Sequence, residues 1–283
     1  MLNRPPTDLD AWTACFRDQA IPVLERTTQE LALLREAEAR HGSVDAHQLG
    51  ETLRHDPLMQ LRVLAHVAAL ARGRAGDDER HAPETVIGAL VLLGVGPFFR
   101  AFEELPTVEA RLATQPQALE GLRRVIRRAH RAATFALGFA VHRMDEDAPQ
   151  VHLAASLHDF AEMLLWCHAP ALALEIERRQ SLDATLRSVV VQREVLGIEL
   201  GALEQALMQA WSLPELLRRM TDDRHADHPQ VRSVALAVRL ARHSEAERGG
   251  WNNAGVPADL AEIGELLNLS PDATLSLVRS LDD

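Results

Sequence analysis

The residues best equipped for chemistry are His158 and Asp159, adjacent in the apolar stretch 151–166, VHLAASLHDFAEMLLW. An imidazole beside a carboxylate supports two readings: a pair of ligands for a divalent ion, or a polar pair that satisfies itself by hydrogen bonding inside an apolar helix. A second candidate is the basic stripe of Arg124, Arg127, Arg128 and Arg131, joined by Arg123. Guanidinium forks match phosphate oxygens, so the stripe is either an anion site for a nucleotide or a solvated helix face paired with acids such as Glu103, Glu104 and Glu120. The remaining candidates are weaker. His225 and His228 lack a cysteine or carboxylate pattern around them. Cys167 and His168 are neighbours, and neighbours on a helix point about 100° apart, which is poor for proton transfer. Gly94 and Gly96 follow no strand and make no dinucleotide fingerprint.

The elements that must position these residues are helices. Leu153, Leu157, Phe160, Leu164 and Leu165 recur at helical spacing around the doublet and predict one helix buried over a wide face. Strand signals are almost absent, because the valines sit among Ala, Leu, Glu and Arg in helical periodicity. Thr7 and Asp8 predict a first N-cap, Pro22 the first turn of a second helix, and Ser43 the cap of a third after Gly42. Asp56 and Pro57 open a fourth. A polar loop is expected over 73–83 and a long helix carrying His130 over 117–144. Trp166 and Trp211 read as core anchors. The fold class is all-α, segmented as 1–114, 115–248 and 249–283, with the break in character near 106–116.

Composition narrows the chemistry. The chain has 283 residues, 47% apolar and 25% charged, as in an ordinary globular protein. Every basic side chain is Arg. Without lysine there is neither Schiff-base chemistry nor a P-loop lysine. The net charge of −11 argues against general nucleic-acid binding, which needs surplus cations. Two cysteines make no disulfide framework. No signal peptide and no apolar run of the roughly 20 residues a membrane span requires is present, so a cytoplasmic location is expected.

Taken in order, several segments resemble the HD-related output domain (HDOD) family of bacteria, divergent relatives of the HD phosphohydrolases. Ile21-Pro22 resembles its opening and Asp56-Pro57 its "DP" helix. Ala89-Leu90-Val91-Leu92-Leu93-Gly94 resembles the "AI..LG" segment, and Arg128-Ala129-His130 the "W-x-H" segment with Trp replaced. Ala154-Ala155-Ser156-Leu157-His158-Asp159 resembles "AGLLHDIG", and Gly197 with Trp211-Ser212-Leu213-Pro214 the "G…W-x-LP" ending. The resemblance spans about 20–248, with the module itself at about 20–220.

The departures bear on activity. The family's Asn-Ser pair is Ala68-Ala69 here, a usual His falls on Leu200, and the terminal "HH" is Arg224-His225. The acidic residue that closes the metal site of true HD enzymes falls near Arg242, in a segment without a carboxylate between Gln230 and Ser244. The resemblance therefore implies a vestigial HD pocket of His130, His158, Asp159 and Arg242, with Arg242 replacing the metal's charge by an ion pair to Asp159; a register shift of one would bring His243 there instead. It further implies a non-enzymatic bacterial signalling or regulatory protein that acts through contacts with other signalling proteins, with no catalytic residues, no metal and no cofactor. The alternatives are a metal-dependent phosphohydrolase acting on nucleotides or phosphodiesters, and a cyclic-dinucleotide sensor using the arginine stripe.

Overall fold

The structure, a computed structural model, describes residues 1–74, 83–183, 186–225, 227–246 and 249–282. The loop expected over 73–83 falls largely outside them. Among the described residues the regular structure is helical, apart from one isolated parallel bridge between Val23 and Thr107. The chain divides into two compact units, each discontinuous in sequence. The first holds residues 1–125 and 159–214, and the second holds residues 126–158 and 215–283. This division cuts across the linear segmentation 1–114, 115–248 and 249–283, because the chain returns to the first unit after His158.

The first unit is built from α1 (Leu9–Arg17), α2 (Glu25–His41), α3 (Ala46–Leu53), α4 (Pro57–Arg74), α5 (Val86–Leu93), α6 (Val95–Ala101) and α7 (Val108–Arg111). It also takes the first part of α8 (Pro116–His142), and then α10 (Phe160–His168), α11 (Pro170–Leu182), α12 (Ser188–Leu196) and α13 (Leu200–Ala210). Trp12, Phe16, Leu49, Phe98 and Phe160 are fully buried in it. Trp12 donates its indole N–H to Leu196 O at 3.1 Å, and Trp211 donates to Arg17 O at 3.3 Å. Trp166 and Trp211 are both buried, as expected of anchors.

One carboxylate organises the start of this unit. Asp56 is fully buried and accepts from Leu24 N at 2.8 Å, Met59 N at 3.0 Å and the Thr27 hydroxyl at 2.7 Å. It therefore caps the N-termini of α4 and α2 together. Burial pushes its pKa up, against the lowering effect of these hydrogen bonds. The same arrangement explains why Pro22 lies before α2 and not in its first turn. Val23 donates to Pro106 O and its carbonyl accepts from Val108 N, both at 2.9 Å, which holds the segment extended until Leu24 reaches Asp56. The cap of α3 is Asp45, not Ser43: its side chain accepts from Gln48 N while Gln48 returns a bond to Asp45 N.

The second unit takes the rest of α8, then α9 (Ala148–Leu157), α14 (Glu215–Met220), α15 (Pro229–His243), α16 (Val256–Leu267) and α17 (Pro271–Asp282). Its core includes Phe135 and Phe139, stacked with centroids 6.5 Å apart, with Val151, Val234, Leu240 and Ile263 fully buried. Helix α9 packs on α15 and α14, and α16 packs on α15 and α17. No helix among the described residues is long and apolar enough to cross a membrane.

Candidate functional site

The expected single helix through the doublet is two helices. His158 is the C-cap of α9 and Asp159 the N-cap of α10. The Asp159 carbonyl accepts from Glu162 N at 3.1 Å and Met163 N at 3.2 Å, which starts the new helix, while the Asp159 side chain makes no capping bond. Apolar periodicity could not show this break, because both helices are buried where they meet it: 153–157 on one side, 160, 161 and 163–168 on the other. The doublet also marks the place where the chain leaves one unit for the other. His158 ends a stretch of the second unit and Asp159 begins one of the first.

Within the second unit His158 is largely buried, and its Nε2 lies 3.2 Å from Asp223 Oδ1. Asp223 sits in a short 3-10 turn, 223–225, beside a second acid–base group. Asp222 accepts from Arg224 Nε and Nη2, both at 2.8 Å, and lies 3.2 Å from His225 Nδ1. The hydrogen bond from Arg224 holds the Asp222 carboxyl below the usual carboxylate range. His225 is thus engaged by Asp222, and His228 precedes α15 with no side-chain cap bond.

His130 lies on α8, where its carbonyl accepts from the Thr134 hydroxyl at 3.0 Å. Arg242 is in the last turn of α15. His243, the alternative register for the pocket, is held elsewhere: its Nδ1 is 2.6 Å from Asp259 Oδ2, and Asp259 also accepts from Arg239 Nε at 2.6 Å. Among the described residues no three His, Cys, Asp or Glu side chains are grouped so as to hold a metal ion.

A family model for the HDOD domain matches residues 21–227, most of the chain. The chain belongs to the HDOD family. A search of curated proteins returned no match. Among solved structures, the HDOD chain is similar to the MmoQ response regulator of Methylococcus capsulatus at 20% identity, covering 93% of this chain and 99% of that one, with a TM-score of 0.67. It is also similar to a virulence factor of Campylobacter jejuni at 16% identity, covering 96% of each chain, with a TM-score of 0.68. At these identities the likeness shows the fold.

The arginine stripe of this HDOD chain is met by its own acids. In the first unit Arg124 pairs with Glu177, and Arg123 lies 3.8 Å from Glu109. In the second, Arg128 is buried with its Nη1 3.4 Å from Glu245, and Arg131 forms a bidentate pair with Asp282 at 2.7 and 3.0 Å. Arg127 is exposed. These partners, Glu109, Glu177, Glu245 and Asp282, lie beyond the reach of any helical spacing rule.

Cys167 and His168 form no nucleophile–base pair. Burial pushes the Cys167 thiol well up, away from the thiolate. His168 is buried, its Nδ1 faces Arg111 Nη2 at 2.8 Å, and burial with the adjacent guanidinium lowers its pKa to about 3. A guanidinium only donates, so Nδ1 is the acceptor and the ring is neutral. Arg111 also donates to Cys167 O at 2.7 Å, which makes it the anchor between α7 and α10. The anchors that sequence reading missed, Arg111 and Asp223, carry no local signal: their partners lie 57 and 65 residues away.

Proposed function

We infer that this HDOD chain is a non-enzymatic regulatory module of bacterial signal transduction that acts through contacts with other signalling proteins. The observation that carries the reading is the occupation of His158. Its Nε2 is directed at Asp223, an acid in a surface turn, while α15, where an HD enzyme would place its closing carboxylate, has none between Gln230 and Ser244 and bears Arg242 in its last turn. A hydrolytic HD site needs a divalent ion to activate water or polarise a phosphoryl oxygen, and a guanidinium near a cation opposes it by charge. The similarity in fold to a response regulator agrees with a signalling role.

The test is metal analysis together with hydrolysis assays on the full chain. Protein supplied with Mn, Fe or Zn during expression should purify without stoichiometric metal, and it should leave bis-p-nitrophenyl phosphate and cyclic dinucleotides intact. Metal at one equivalent that is lost on His158→Ala, with phosphodiester turnover lost alongside it, would replace this reading with the phosphohydrolase. The cyclic-dinucleotide sensor is weakened by the carboxylates on Arg124, Arg128 and Arg131. Calorimetric heat on titrating a cyclic dinucleotide, abolished by Arg127→Ala, would restore it.

A further inference from the structure

Among the described α-helices, α5 alone has no ionisable side chain; its residues are VIGALVLL. Its inner face is accounted for. Ala89 and Leu90 are buried where α5 packs on α3 and α4, and Ile87 lies over Gly50 of α3, 2.7 Å from where a Cβ there would sit. The outer face is turned to solvent. Val91 is 67% exposed, Leu92 57% and Ile87 39%, and the spacings Ile87–Val91 and Gly88–Leu92 set these four positions in two adjacent rows. Other exposed apolar side chains stand among charges, Leu33 between Glu30 and Glu36 on α2, and Val189 and Val190 between Arg187 and Arg193 on α12.

The ends of the α5 face carry opposite charges. Exposed Glu84 precedes its N-terminus. Exposed Arg100 folds back at the other end, its Nη1 3.5 Å from where a Cβ on Gly96 would sit. A two-fold axis through the middle of α5 runs two such helices antiparallel and sets each Glu84 beside the Arg100 of the other copy. The face is then complementary to itself, as an isologous contact requires. A parallel pairing would set Glu84 against Glu84. The net charge of −11 makes two copies repel, and an uncharged helix is where they can meet without bringing like charges together. Gly88, having no side chain, lets the second helix approach closely.

We propose that α5 is the contact between two copies of this chain, an antiparallel two-fold pair closed at each end by Glu84 and Arg100. The three exposed apolar side chains offer a few hundred Å² per copy, less than the ~800 Å² that each partner of a standard interface buries. The pair is therefore weak, and its population follows the concentration of the protein. The inference rests on the geometry of the first unit and does not depend on the signalling role proposed above.

Sedimentation velocity on the full chain, from about 1 µM to about 500 µM, tests it. The mass should rise with concentration from 31.3 kDa towards twice that value. Val91→Glu, at an exposed position that the single copy tolerates, should weaken association at least about a hundredfold with an unchanged circular dichroism spectrum. Arg100→Glu should weaken it about threefold to tenfold, and adding Glu84→Arg should restore it. Hydrogen exchange gives a reading without any substitution: raising the concentration should slow the α5 amides and leave those of α12 unchanged. A chain that stays at 31.3 kDa throughout overturns the proposal, whatever other protein covers α5. Dimers that persist with Val91→Glu, or slowing confined to other helices, place the contact on another face and also overturn it. A double charge reversal no better than Arg100→Glu overturns the antiparallel pairing.

Discussion

Two buried carboxylates, one in each unit, solve the same problem with different chemistry. Asp56 is held by neutral donors, two backbone N–H groups and a hydroxyl. Asp259, equally buried, is held by the guanidinium of Arg239 and the imidazole of His243. In the first unit the buried acid fixes backbone, joining two helix starts. In the second unit the buried and half-buried acids Asp259, Glu245 and Asp282 fix one segment to another through side-chain charge. Neutral donors in a dry site are indifferent to salt, whereas ion pairs with one partner near solvent are screened. The difference teaches that the joint at Asp56 is indifferent to salt, whereas the joints at Asp259, Glu245 and Asp282 are ones that solution conditions can loosen.

The strongest way to break the contrast is Asp56→Ala. It leaves Leu24 N–H, Met59 N–H and the Thr27 hydroxyl buried without their acceptor, and should cost about 4 kcal/mol of stability in urea unfolding. That loss should be the same at low and high salt. Asp259→Ala should cost about 3 kcal/mol, less than a fully buried pair because Arg239 and His243 are partly exposed. Its cost should shrink in 1 M NaCl, and an unchanged cost would erase the distinction between the two sites.

Acid sharpens the comparison from the other side. The folded state holds His168 neutral, with a pKa near 3 against the ordinary value near 6.5. Between those values the unfolded chain binds the extra proton, so stability is fully present above pH 6.5 and is lost as pH falls towards 3. The loss should be about 2 kcal/mol by pH 5, and His168→Asn should remove that part of the pH dependence in denaturation curves. The smallest effect is steric. The Trp166 ring lies 2.5–2.6 Å from where a Cβ on Gly121 would sit. Gly121→Ala should therefore cost about 1–2 kcal/mol of global stability in urea unfolding.

Much of the local structure was open to sequence reading because its causes are local. Asp8 caps α1, Gly42 ends α2 in the left-handed region, Pro57 opens α4 after its capping acid, and the all-α class follows from periodicity throughout. The HDOD membership likewise rested on residues in order along the chain. The errors share a cause. Pro22 and Ser43 are good helix starters, and each was outcompeted, the first by the bridge from Val23 to Thr107 and the second by the capping box at Asp45. The helix break at His158 and Asp159 left no trace in a pattern where both sides are buried.

By itself, then, the sequence determined the helices, the missing carboxylate of α15 and the absence of lysine chemistry, since each depends on residue type and short spacing. Only the tertiary structure decided what the charged groups do. That His158 lies beside Asp223, and that Arg131 holds Asp282, depends on which distant segment arrives beside it. An ion pair's geometry is set by packing over tens of residues, and the apolar pattern that drives that packing is silent about which charges it brings together.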